Sequence, residues 1–155
     1  MAALARGRWN PAQVGDSDDL QDSRGKTMRY IQTTDIPSIF QRRKSVQQFL
    51  GRSPADPDCI RYVELRPVAG RVEVWVYDAE DVGDEVYSDL ESFPDFEPDG
   101  PQEPVATFDE PGSAVAYAST SVAADPARWV NEGVAGSEYA DFVRAGRPLR
   151  WPTAG

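Results

Sequence analysis

The stretch 61–78 constrains the fold most, because apolar and polar residues alternate along it on both sides of a short break. Alternation with a period of two, together with many β-branched and aromatic residues, is typical of β-strands. We therefore expect two antiparallel strands joined by a tight turn. One face of this hairpin is aliphatic and carries Val63, Leu65, Val72, Val74 and Val76.

The register of the hairpin depends on where its turn lies. A loop at 67–70 sets Glu64 opposite Glu73, whereas a loop at 68–71 sets Arg66 opposite Glu73. Opposed like charges are unfavourable and opposed unlike charges are favourable, by roughly 0.2–1 kcal/mol per pair. The sequence therefore favours the loop at 68–71.

The second face of the hairpin is aromatic and acidic. In the favoured register Trp75 and Tyr77 share it with Tyr62 and Glu64. Large aromatic side chains usually supply buried area within their own domain, so we expect a helix of the same domain to cover this face. A partner protein is the alternative.

Helix signals flank the hairpin. Asp35 and Pro37 mark a helix start, and apolar residues at roughly helical spacing continue to Leu50 before Gly51, which predicts a helix over about 36–50. After the hairpin, residues 105–108 predict a short strand, and Pro111 begins a helix of about 111–123.

Two further helices are expected near the C-terminus. Asp125 and Pro126 predict one that carries Trp129, Val130 and Val134, and Ser137 begins another that ends at Gly146. The buried positions expected on the last helix are Tyr139, Phe142 and Val143. The order of elements predicts an α+β fold, with a small, mainly antiparallel sheet and helices packed on one face.

Local composition divides the chain into three parts. Residues 1–27 are rich in Gly, Ser, Asp, Gln and Arg without hydrophobic periodicity, which predicts a disordered N-terminal arm. Residues 28–147 form the single α+β domain. Residues 148–155 contain two prolines and an exposed-looking Trp151, and we expect them to be a flexible tail.

Charge is distributed unevenly along the chain. The formal net charge is −10. Counting Lys and Arg against Asp and Glu, residues 1–71 hold 12 against 8, residues 72–127 hold 0 against 15, and residues 128–155 hold 4 against 3. Binding nucleic acid through the middle of the chain would require cations there, so the sequence favours a basic partner and no nucleic acid.

The chain lacks the residues that several kinds of catalysis and metal binding require. The chain has no histidine and one cysteine, Cys59, which excludes His-dependent catalysis and an intrachain thiolate zinc site. A calcium-loop template over 78–89 fails at Val82, where an oxygen ligand is required. We expect no enzyme activity, cofactor or metal; a carboxylate-only mechanism, with Asp84, Glu85, Asp109 and Glu110 as candidates, is the alternative.

Location follows from what the sequence carries. No signal-peptide pattern and no membrane-spanning apolar run occurs, and a lone cysteine needs no oxidising compartment. We expect a cytoplasmic protein that does not bind membranes.

The acidic segment, residues 78–96, is the candidate partner-binding site, because apolar residues interrupt its carboxylates and offer anchors that charge alone lacks. Its candidate residues are Asp78, Glu80, Asp81, Asp84, Glu85, Tyr87, Asp89, Glu91, Phe93 and Phe96. Its form is either a short strand or helical turn over 85–90 followed by a loop, or an irregular excursion that docks Phe93 and Phe96 on the sheet.

The general character of the chain resembles that of bacterial immunity proteins, which bind and block a cognate toxin. The resemblance rests on size, acidity and missing catalytic residues, and on no motif. It implies an inhibitor that covers a cationic cleft of a basic partner such as a toxin. An acidic soluble domain without a dedicated interface and a nucleic-acid mimic are the alternatives.

Overall fold

A computed structural model describes residues 29–153 of the chain. The arm expected over 1–27 lies outside the described residues, as do the last two residues of the expected tail. The compact unit that contains the hairpin begins at Ile31.

The described residues form five strands and three helices. The strands are β1 (Val46–Arg52), β2 (Cys59–Val68), β3 (Arg71–Glu80), β4 (Ala106–Phe108) and β5 (Val130–Asn131); the helices are α1 (Ile36–Gln41), α2 (Pro111–Ser121) and α3 (Ala135–Arg144). Short 3-10 turns occupy Thr33–Asp35 and Leu90–Ser92. All neighbouring strands pair antiparallel in the order β4-β3-β2-β1-β5, with helices packed against them, which confirms the α+β class.

The hairpin of β2 and β3 has the favoured register. Arg66 lies opposite Glu73, and Val63 lies opposite Val76. Only Ala69 and Gly70 lie outside the pairing, and both have positive φ, 53° and 80°. Such a two-residue turn matches the right-handed twist of the strands it joins, which explains why the chain reverses here without a bulge.

The aliphatic face of the hairpin forms the first core. Val63, Leu65 and Val74 are fully buried there, together with Ala114 and Ala118 of α2. Small side chains on α2 let its backbone approach the sheet closely. Residues of α1 and the buried Trp129 complete this core, whose remaining members include Ile36, Ile39, Phe40, Val46, Val72, Val122 and Ala124.

The predicted helix over 36–50 is wrong in its second half. The helix ends at Gln41, Arg43 has φ 62°, and the chain then enters β1. Because β1 pairs with β2 on one edge and with β5 on the other, its backbone hydrogen bonds are supplied by neighbouring strands. Tertiary pairing overrides a helical spacing that two separate elements produced by coincidence.

The helix expected after Asp125 is also wrong, because the chain forms turns and then β5. The Gln48 side chain holds the backbone of Asp125 at two points: its amide donates to the carbonyl oxygen at 3.0 Å, and its oxygen accepts from the N–H at 2.7 Å. Trp129 is fully buried, and Val130 then pairs with Gln47 of β1. The other two expected helices are confirmed as α2 and α3.

An aromatic cluster forms the second core, on the other side of β1. Phe49 lies opposite Tyr62 and therefore points away from Val63. Its ring meets Tyr139 and Phe142 of α3 with centroid distances of 5.7 and 5.2 Å, and Trp151 at 6.3 Å. Thus α1 and α2 cover the aliphatic face, whereas α3 packs around Phe49. Tyr139 and Phe142 are buried as expected, and Val143 is half-buried.

Replacing Phe49 by Ala should lower the free energy of unfolding by about 3–5 kcal/mol, because a buried ring is lost from a cluster of four aromatic side chains. Urea unfolding followed by circular dichroism measures the change. The control is Val86→Ala at a side chain that is 92% exposed, which should change stability by less than about 0.5 kcal/mol. Equal effects of the two substitutions would contradict the position of Phe49.

Candidate functional site

The acidic segment leaves the end of β3 and returns beside it. The N–H of Glu80 donates to the carbonyl oxygen of Pro94 at 2.8 Å, and the N–H of Phe96 donates to that of Asp78 at 2.9 Å. Between these points the chain is irregular apart from the 3-10 turn at Leu90–Ser92. The irregular form agrees with the second alternative, but the expected docking on the sheet is wrong, because Phe93 packs against Tyr139 of α3 and Phe96 is exposed.

Asp81 fastens the start of this excursion to the end of α3. Its carboxylate accepts from Nε of Arg147 at 2.9 Å and from the Tyr139 hydroxyl. Nη2 of Arg147 also donates to the carbonyl oxygen of Gly83 at 2.7 Å, and the Gly83 N–H donates to the Tyr139 hydroxyl at 3.1 Å. The Asp81 side chain is only 8% exposed, so this carboxylate acts as a structural anchor.

Buried apolar side chains fasten the middle of the excursion. Leu90 and Phe93 are buried, and the Phe93 ring meets Tyr139 at 5.2 Å and Tyr87 at 5.1 Å. At Gly136, in the first turn of α3, an added Cβ would lie 2.2 Å from the Ser88 carbonyl oxygen. Only glycine permits this approach of backbone to helix.

The structure separates the candidate residues into two groups. Asp78, Asp81 and Phe93 have structural partners: Asp78 pairs with Arg61 through two bonds of 2.7 and 2.9 Å and accepts from the Ser53 hydroxyl at 2.6 Å. The other candidates are exposed, and they are Glu80, Asp84, Glu85, Tyr87, Asp89, Glu91 and Phe96. Phe96 thus does not dock as Phe93 does.

Two of the exposed carboxylates also shape the backbone. Oδ1 of Asp84 accepts from the N–H groups of Tyr87 and Val86 at 2.7 and 2.8 Å, and these bonds lower the pKa of Asp84. Asp89 accepts from the N–H of Glu91 at the start of the 3-10 turn. Glu80 and Glu85 make no side-chain hydrogen bond within residues 29–153.

A second feature of this region is the tyrosine cavity, a space of about 300 Å³ on the aromatic face of the hairpin. Its lining comes from the strands and from the acidic segment, in place of the helix that the sequence led us to expect. The residues that line it are Gln47, Tyr62, Glu64, Arg66, Tyr77, Glu91 and Asp95. Sequence reasoning misses Gln47 and Asp95, because the apolar spacing predicts a helix around Gln47, and Asp95 reaches the sheet only through the bridge to Ala79.

One wall of the cavity is a closed polar network. Oε1 of Glu64 accepts from Nη2 of Arg66 and from the Tyr77 hydroxyl, each at 3.1 Å, and Arg66 donates to that hydroxyl at 2.7 Å. The Arg66 guanidinium also lies 4.4 Å from the centre of the Trp75 ring. The rings of Tyr62 and Tyr77 stack at 4.8 Å.

Of the four carboxylates that are candidates for catalysis, two already have partners in the fold. Asp84 binds backbone N–H groups, and Asp109 pairs with Arg71 in an exposed ion pair of 2.9 Å. Within residues 29–153, no three Cys, Asp or Glu side chains are grouped as a metal site requires. Cys59 is buried, and burial followed by nearby carboxylates raises the pKa of its thiol.

Comparison with known proteins adds no relative. No protein-family model, curated protein or solved structure matches the chain. None of the helices in the described part of the chain has the length and apolar character needed to cross a membrane. The fold and the site therefore define an α+β protein with an anchored acidic excursion.

Replacing Arg147 by Gln should lower the free energy of unfolding by roughly 1–3 kcal/mol, because the Asp81 carboxylate would stay buried without its cation. Chemical denaturation measures the change. The matched control is Arg144→Gln, at an exposed ion pair with Asp141, where about 0.5 kcal/mol or less is expected. If both variants lose equal stability, Asp81 does not anchor the segment.

Stability should fall at alkaline pH through Tyr139. Burial, followed by the hydrogen bond to Asp81, raises its pKa to about 12 from an ordinary value near 10. The neutral hydroxyl is therefore favoured in the folded state, and its contribution is complete below pH 10 and is lost as the pH rises towards 12. Denaturation at pH 8–12 tests this, and Tyr139→Phe should make the pH dependence less steep, while Tyr62 and Tyr77, whose pKa values are also raised, keep part of it. An unchanged slope in that variant would refute the assignment.

Proposed function

We propose that this chain is an interaction protein that binds a basic protein partner through the exposed face of the acidic segment. The observation that supports the proposal is that some side chains of the segment hold it in place while others are exposed. Asp81 and Phe93 point inward and fix the loop, while Glu80 and Glu85 are exposed without structural partners. A loop already held in place loses little conformational entropy when it binds.

Exposed apolar side chains lie among these carboxylates. Val82, Val86, Tyr87 and Phe96 are all exposed large side chains, and Val86 is 92% exposed. Carboxylates steer an encounter and select the sign of the partner, whereas apolar and aromatic anchors provide most of the binding energy. The combination suits protein recognition better than a surface that serves only solubility.

An inhibitor of the immunity type is the specific form that we favour. A basic enzyme that acts on an anionic substrate needs a cationic cleft, and carboxylates laid over that cleft would exclude the substrate. A cytoplasmic location belongs to the same proposal, since the one cysteine is free and buried. Toxins with basic active sites are the partners to test first.

Removing charge from the segment should slow association. Full-length protein is immobilised, partners are captured from an extract of the source organism at low and physiological salt, and the retained protein is used for kinetics. The variant Glu80→Gln with Glu85→Gln should lower the association rate constant roughly threefold to tenfold at low salt, with less effect at physiological salt.

The matched control removes two charges outside the segment, by Glu103→Gln with Glu110→Gln; both side chains are exposed. This control should change the association rate less than twofold. Equal slowing by both double variants would contradict the proposed interface. Loss of all captured protein at physiological salt would contradict the proposed function itself.

A further inference from the structure

The tyrosine cavity has more hydrogen-bond acceptors than its own residues satisfy. Arg66 and Tyr77 occupy Glu64, and the Gln47 side chain donates to Oε2 of Glu91 at 3.2 Å. The Asp95 side chain makes no hydrogen bond or ion pair within residues 29–153. Three carboxylates and one guanidinium leave the cavity with two uncompensated negative charges.

Tyr62 supplies a further acceptor that no described residue uses. It is only 5% exposed and lines the cavity, yet its hydroxyl makes no hydrogen bond with any residue of 29–153. The hydroxyl itself is not among the fully buried atoms without a partner, so it keeps accessible surface towards the cavity that it lines. A donor placed in the cavity would satisfy this hydroxyl.

The surroundings of both tyrosine hydroxyls are also electrostatically negative. Burial first, and then the charge of Glu91, raises the pKa of Tyr62. Burial, followed by Glu64, raises the pKa of Tyr77. Stacked tyrosine rings beside carboxylates are chemistry that attracts organic cations through both charge and the ring faces.

We infer that the tyrosine cavity binds a guanidinium group. The cavity volume of about 300 Å³ accommodates this planar cation. Its several N–H donors match acceptors on Glu91, Asp95 and Tyr62, whereas a compact ammonium group has three donors and no plane to stack. The protein already holds one guanidinium on this face, where Arg66 stacks on Trp75 and bonds Glu64.

The group comes either from an arginine side chain of the basic partner or from a small guanidino compound. The first source rests on the proposed function. Glu91 belongs to both the acidic segment and the cavity wall, so an arginine presented by a protein docked on the segment has an acceptor at the rim. The second source is independent of any protein partner.

The test is a chemical-shift titration of the full chain at constant ionic strength, with three blocked amino acids as probes. N-acetyl-arginine methylamide should shift the Gln47 side-chain amide and the ring signals of Tyr62 and Tyr77 in a saturable way. The lysine analogue should bind at least threefold more weakly, and the neutral citrulline analogue should cause no saturable shift. Arginine and citrulline probes that act alike, or lysine that binds as well as arginine, would overturn the assignment.

Variants locate the binding. Asp95→Asn and Tyr62→Phe should each weaken binding of the arginine probe about tenfold, because each removes an acceptor of a charge-assisted hydrogen bond. Tyr62→Phe keeps the stacked ring and removes only an unpaired hydroxyl, so its fold should be intact. The control Glu97→Gln removes one exposed charge outside the cavity and should change affinity less than twofold. Equal weakening by all three would overturn the site.

Free arginine distinguishes the two sources, because it carries the charged α-ammonium and α-carboxylate groups that are blocked in the probe, as they are in a protein chain. Tighter binding of the blocked probe supports a protein side chain, and tighter binding of free arginine supports a small molecule. If no probe binds while a basic protein is still captured, the cavity inference fails and the proposed function stands. Probe binding without a protein partner leaves the guanidinium site and removes the partner.

Discussion

The alternation of side chains along β2 and β3 is the constraint on which the rest of the structure depends. Because successive residues point to opposite faces, fixing Val63 opposite Val76 puts the aliphatic residues on one face, and Tyr62 opposite Tyr77 on the other. The helices α1 and α2 pack against the aliphatic face and form the first core with it. The aromatic face is closed only in part, and the acidic segment rather than a helix borders it. Both the stability and the candidate sites thus follow from one register.

Sequence reasoning succeeds where local rules and tertiary contacts agree. The hairpin register follows from charge pairing, since Arg66 against Glu73 is favourable and Glu64 against Glu73 is not. The helices at 111–121 and 135–144 also form near their expected positions, although neither has a side-chain cap and the second begins two residues before Ser137. These elements need no information from distant parts of the chain.

Sequence reasoning fails where a distant partner decides the backbone. The spacing of Val46 and Phe49 fits a helix, but in β1 these residues lie on opposite faces because two strands pair with their backbone. Gln47 and Gln48 read as polar helix positions, whereas each one serves backbone groups more than 75 residues away in sequence. The cavity cannot be predicted from the sequence for the same reason, because Asp95 and Gln47 come close to Tyr62 only in the folded chain.

Repulsion among the carboxylates of the acidic segment is smaller in the fold than the net charge of the sequence suggests. Asp78 is neutralised by Arg61 and Asp81 by Arg147, and both cations come from outside the run that lacks Lys and Arg. These two pairs anchor the start of the segment, one within β3 and one directly after it. The unpaired charge then lies on exposed side chains, which include Glu80 and Glu85 and, at the cavity beside Tyr62, Glu91 and Asp95. Self-repulsion is therefore reduced where the loop is anchored, whereas at the cavity three carboxylates lie near one guanidinium, and a bound cation would balance part of that excess.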